Sequence, residues 1–175
     1  MIIWLASYPK SGNTWLRSLI ANYYFSETGD FNFELLEKID SFPSNKYFRK
    51  YLDKFNQPHE TSKYWIKEQE QINQSKGIKF FKTHNALCKI DGNQFTNKEN
   101  TLGVIYIIRD PRNVITSLSN HYQISLEEAF QFMTDEKRGI VSKEKERFLG
   151  FQALFSWKLN QKSWVENKLL SLIHI

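Results

Sequence analysis

The stretch Tyr8-Pro9-Lys10-Ser11-Gly12-Asn13-Thr14-Trp15 follows a short apolar run, Ile2 to Ala6. It leads into a segment whose Trp15, Leu16, Leu19, Ile20 and Tyr23 fall on one helical face. Strand, tight turn and helix in that order build an anion seat from geometry alone. The first N–H groups of the helix lack internal partners and point at whatever rests on the turn. Gly12 lets the backbone come close, Lys10 adds a full positive charge, and Ser11 and Thr14 can add hydroxyl donors. Asn13 keeps a polar side chain in the same turn. The blander reading is that Ser11 or Asn13 merely caps the helix and Lys10 is solvated. A nucleoside-triphosphate loop is excluded, because it ends in Gly-Lys-Ser/Thr and none of the seven glycines is followed by lysine.

Working outward, the pattern is alternating strands and helices, which predicts an α/β fold with a parallel sheet covered by helices. The second strand is Ile78 to Lys82 and the third is Val104 to Ile108, a continuous apolar run suited to a central parallel strand. Asp110-Pro111 opens a helix with Val114, Ile115 and Leu118 inward. Ser125-Leu126-Glu127-Glu128 has the form of a capping box and starts a helix through about Lys137. A long helix is expected from about Lys143 to Asn167, and Lys168 to Ile175 reads as the beginning of a strand. Between Phe31 and Gln74 the chain is polar and rich in lysine and aromatics, with Thr61 to Gln74 as its clearest helix.

Two further clusters follow the second and third strands. Lys82-Thr83-His84 sits at the carboxyl edge of the sheet, where ligands of open α/β sheets bind. A lone histidine is more often structural, but the flanking Lys82 and the strand-end position favour function here. After the third strand, Arg109 and Ser117 are eight residues apart, so a guanidinium at the strand end and a hydroxyl two turns into the helix can grip one phosphate. The alternative is a surface arginine and a serine bonded back to its own helix.

With 175 residues the chain has room for one domain with a real core. A net charge of +5 points to an anionic partner without requiring nucleic acid, since a small charged nucleotide would serve. The 15% of aromatic residues read as core rather than as a stacking platform for bases. Cys88 is the single cysteine, so an internal disulfide and a cysteine-rich zinc site are excluded, and a reducing, cytoplasmic setting is expected. No signal peptide or membrane span is read. His59, His121 and His174 show no metal-ligand spacing with one another or with Cys88, so no metal is expected.

Taken together, the three clusters resemble the cytosolic-type sulfotransferases, which use 3′-phosphoadenylyl sulfate (PAPS) as donor and release the bisphosphate PAP. Tyr8 to Trp15 is similar to their 5′-phosphosulfate loop, although the family often has Thr where this chain has Asn13. Lys82-Thr83-His84 matches the Lys-Thr-His motif, whose histidine is the general base. Arg109 to Ser117 is similar to the 3′-phosphate motif, and Arg112 matches a second family arginine.

The resemblance implies a P-loop-like three-layer fold with a central parallel sheet flanked by helices. It implies catalytic roles for His84, Lys10 and Lys82, and donor binding by Lys10, Ser11, Gly12, Asn13, Thr14, Trp15, Arg109 and Ser117, with Trp15 stacking on adenine. The acceptor would be a small molecule bearing a hydroxyl or amine, walled in large part by the Phe31 to Gln74 region.

Two departures stand out. Asn85-Ala86 replaces the common Leu-Pro after the histidine. The family's C-terminal third, with its Arg-Lys-Gly loop, is expected to be missing, so residues 1–175 read as a single incomplete domain with an exposed edge for self-association or a partner chain. The rival readings are a non-catalytic remnant that binds PAP or PAPS weakly or acts only with a partner, a nucleotide kinase, and an RNA-binding protein. The kinase lacks its Gly-Lys-Ser/Thr, and the basic, aromatic stretch of residues 45–67 mixes its lysines with acids and carries no RNA motif.

Overall fold

The computed structural model describes residues 1–144, 147–167 and 172–174. In chain order the elements are β1 (Ile2–Ser7), α1 (Asn13–Phe25), β2 (Asp40–Ser41), α2 (Asn45–Phe48), α3 (Trp65–Gln74), β3 (Lys79–Thr83), β4 (Lys89–Ile90) and β5 (Asn93–Gln94). They continue with β6 (Thr101–Ile107), α4 (Pro111–Tyr122), α5 (Leu126–Thr134), β7 (Gly139–Glu144), β8 (Arg147–Ala153), α6 (Trp157–Val165) and β9 (Leu172–His174). The main sheet runs β2-β3-β1-β6-β9, and every neighbouring pair in it is parallel.

The α/β reading with a central parallel sheet between helices therefore holds. Strand alternation explains the layers. Ile2, Trp4 and Ala6 face one side and join Trp65 of α3 and Trp164 of α6 in an aromatic core. Ile3 and Leu5 face the other side and meet Leu16, Ile20 and Ala21 of α1. Trp4 lies 5.1 Å from Phe95 and 5.8 Å from Phe42, so the abundant rings fill the interior. A third cluster joins Tyr8, Val114 and Leu118 to Ala129 and Met133 of α5.

Parallel pairing puts all the strand carboxyl ends on one edge. Ala6 pairs with Thr83, and Ser7 with Ile107. The chain segments leaving β1, β3 and β6 thus emerge side by side.

Several sequence expectations are corrected. The long helix from Lys143 to Asn167 does not exist. In its place β7 and β8 pair as an antiparallel hairpin, Gly139 opposite Ala153 and Val141 opposite Phe151, and α6 begins only at Trp157. One glycine makes the hairpin fit. A Cβ on Gly139 would stand 2.5 Å from the Phe151 ring. The capping box at Ser125 is present, but its helix stops at Thr134 rather than Lys137. The Thr61 to Gln74 helix is α only from Trp65, preceded by a 3₁₀ turn over Pro58–Tyr64. Of the expected C-terminal strand, Leu172–His174 pairs with β6, whereas residues 168–171 and 175 lie outside the described residues. Among the described residues, no helix is long and apolar enough to cross a membrane.

Candidate active site

The loop after β1 reaches α1 through two left-handed residues, Lys10 at φ 66° and Gly12 at φ 99°. Such a turn gathers consecutive N–H groups into a concave nest for an anion. Gly12 adopts its conformation freely, while at Lys10 a non-glycine residue bears it at a cost of order 1–3 kcal/mol. Gly12 is the N-cap of α1, and no side chain caps the helix. The blander reading of Ser11 or Asn13 as a cap is thereby excluded, and the first-turn N–H groups are left without an internal partner. The Ser11 hydroxyl is buried and has no hydrogen-bond partner among the described residues.

Around this loop lies a cleft of about 480 Å³. Lys10, Gly12, Asn13, Thr14 and Trp15 line it from the first loop, Lys82 and His84 from the end of β3, and Arg109 and Ser117 from the end of β6 and from α4. Of the residues given a catalytic or donor-binding role in the sequence, only Ser11 is not on its wall. Its lining contains four basic or imidazole side chains besides Arg109 and no carboxylate: Lys10, Lys82, His84 and His121. Burial, then the Arg17 and Lys10 charges, lower the Lys82 ammonium below its ordinary value.

His84 is held at a defined tautomer. Its Nδ1 lies 2.7 Å from the Ser7 carbonyl oxygen, which can only accept, so Nδ1 carries the hydrogen. Nε2 therefore keeps its lone pair, on a ring that lines the cleft. Burial first, and then the Lys82 charge, push the imidazolium down to about 3, with the Ser7 bond pulling the other way. The ring is therefore neutral at physiological pH.

Arg109 donates from Nη1 to the Lys10 carbonyl at 2.9 Å, tying the third segment to the first. Ser117 makes no side-chain hydrogen bond with the described residues, unlike Thr116, which bonds back to Asn113 at 3.1 Å. The serine-back-to-helix alternative thus falls away. Arg112 lies outside this arrangement: its Nε donates to Asp110 Oδ1 at 3.0 Å, and that pairing holds the Asp110 carboxyl down at about 2. Trp15 is 77% exposed, at the junction of the cleft with an apolar groove formed by Leu19, Phe31 and Phe33.

Sequence reading missed several contributors. His121 and Tyr122 of α4 and Ile140 of β7 complete the cleft wall. His121 is one turn beyond Ser117 on the same helix face, a signal present in the spacing. Asn160 of α6, with 0% exposure, donates to the carbonyls of His84 at 3.0 Å and Leu154 at 2.9 Å and accepts from Tyr106 Oη at 2.8 Å. Trp164 Nε1 donates to Asn85 O at 2.9 Å, so α6 clamps the segment that carries His84. Asn85 itself bonds the backbone of Ala86 and Ala153, which is the use the fold makes of it in place of the family's common Leu. Among the described residues, no group of three or more His, Cys, Asp or Glu could hold a metal ion.

Compared with known proteins, residues 2–170 match the family model described as Sulfotransferase domain. No curated protein matches the chain.

Proposed function

The chain belongs to the sulfotransferase domain family, and from that premise we propose that it moves a sulfuryl group from PAPS to a hydroxyl or amine of a small acceptor, with His84 as general base. The carrying observation is the convergence at one sheet edge: a neutral imidazole with its Nε2 lone pair retained lines the same cationic cleft as Lys10, Lys82, Arg109 and Ser117. The nest at Lys10 and Gly12 and the unpartnered buried Ser11 hydroxyl support a fit to the donor's 5′ end. Arg109 and the unengaged Ser117 hydroxyl suit the 3′-phosphate.

The donor supplies an electrophilic sulfur and a phosphate leaving group; the chain's residues do the rest. His84 Nε2 takes the acceptor proton as the new oxygen–sulfur or nitrogen–sulfur bond forms. The bond from sulfur to the bridging oxygen breaks, and its electron pair leaves on the phosphate of PAP. Lys10 stabilises that growing charge with help from Lys82, and one well-placed donor of this kind is worth roughly 3–4 kcal/mol in the transition state.

His84→Ala is expected to lower turnover by more than about a hundredfold while leaving PAP binding intact by calorimetry. Turnover near the wild-type rate would remove the base assignment. Arg109→Ala is expected to weaken PAP far more than adenosine 5′-phosphosulfate, and equal losses for the two ligands would remove its 3′-phosphate role.

A further inference from the structure

Asn13, which the sequence suggests as a donor ligand, spends its side chain on β1. Its Nδ2 donates to the Leu5 carbonyl at 2.8 Å and to Ser7 Oγ at 3.1 Å, and the residue is buried. A primary amide has two N–H hydrogens, so none remains for a phosphate, and Oδ1 cannot donate. Reversing the amide would set Oδ1 against the Leu5 carbonyl, which fixes the assignment. Ser7 Oγ in turn lies 3.3 Å from His84 Nδ1, beside the Ser7 carbonyl at 2.7 Å.

We propose that Asn13 is a positioning residue that acts through Ser7 to hold His84 in its Nδ1–H tautomer, and that its side chain is not a ligand of the donor. The Asn13 amide occupies one lone pair of the Ser7 hydroxyl and fixes its rotamer. The other lone pair then faces Nδ1–H as a second acceptor beside the carbonyl. Without Asn13 the hydroxyl is free to rotate and give its own proton to Nδ1. That raises the share of the Nε2–H tautomer against the pull of the Ser7 carbonyl, and in this form Nε2 has no lone pair for an acceptor proton. The catalytic consequence rests on the reading of His84 as base; the tautomer itself does not.

The test is the imidazole nitrogen spectrum of ¹⁵N-histidine-labelled protein at neutral pH, with turnover and PAP calorimetry alongside. In Asn13→Ala the Nε2–H form of His84 is expected to rise, kcat to fall about tenfold with KM little changed, and PAP affinity to stay within about twofold. Ser7→Ala removes the rotating hydroxyl but keeps the carbonyl. In that background Asn13→Ala is expected to cause no further tautomer change. Asn13→Ser cannot reach both acceptors and should behave as Asn13→Ala does, which serves if the alanine variant does not fold.

An unchanged His84 spectrum in the Asn13 variants overturns the proposal. So does a tautomer shift that persists without the Ser7 hydroxyl, or a loss of PAP affinity of about tenfold with the tautomer kept. Because the spectrum is read without turnover, a His84→Ala enzyme that still turned over would sink the base assignment alone.

Discussion

At His84 three depressing influences, burial, the Lys82 charge and last the Lys10 charge, outweigh the Ser7 carbonyl bond, and the balance lies at about 3 against an ordinary 6.5. The sign has two consequences. Between those values the unfolded chain binds the proton and the folded one does not, so this histidine's contribution to stability is present above about pH 6.5 and is lost as pH falls toward 3. In catalysis, the acid limb of kcat/KM, which reports the free enzyme, should lie well below pH 6.5. The limb of kcat should lie higher, because a bound anion offsets the lysines. Lys82→Met should raise the kcat/KM limb toward the ordinary histidine value, as measured by a full pH–rate profile. A limb unmoved by this change would mean that Lys82 does not act on His84. The cleft residues of the three clusters were legible in the sequence because their chemistry is local: a turn, a strand-end Lys-Thr-His, an arginine and serine two turns apart. The use of Asn13 was not, because its acceptors are carbonyl and hydroxyl groups of β1 whose positions depend on how α1 packs.

Among the elements, α6 is the one that sequence reading described least well, and it holds the histidine segment. Asn160 satisfies three buried groups at once, the carbonyls of His84 and Leu154 and the Tyr106 hydroxyl. Asn160→Ala leaves them without partners, each at a cost of about 1 kcal/mol or more. Urea unfolding should therefore show a loss of about 3 kcal/mol, with kcat reduced as the His84 backbone relaxes. A loss below about 1 kcal/mol would show that water replaces the amide without penalty. The reason for the misread helix is physical. Charged residues over 143–147 favour helix by composition, and nothing local reveals that Gly139 must make room for Phe151. β-strand pairing is decided by such distant neighbours. By contrast β1 and β6 were found to within a few residues at their ends, because buried parallel strands are continuous apolar runs.

Over the whole molecule, the excess positive charge of +5 is matched by a cleft whose lining carries cations and no carboxylate. A field of this kind is screened by salt. PAP binding should weaken steadily as sodium chloride rises from about 0.05 M to about 0.5 M, whereas adenosine, which lacks the phosphates, should hardly respond. Parallel calorimetric slopes for the two would remove charge as the source of affinity. Fold class and the meeting of three distant segments on one sheet edge were legible, since strand order and strand-end chemistry suffice for both. Ile140 on the cleft wall was not, because the β7–β8 hairpin that carries it went unread.

The parallel register of β1, β3 and β6 makes the pocket a timekeeper of refolding. His84 reaches Ser7 from 77 residues away and Arg109 reaches Lys10 from 99 away, so neither contact exists until both long excursions have closed. A fluorescent bisphosphate added during renaturation would stay dim while helices form and brighten only when the last strand seats, recording the final step rather than the first.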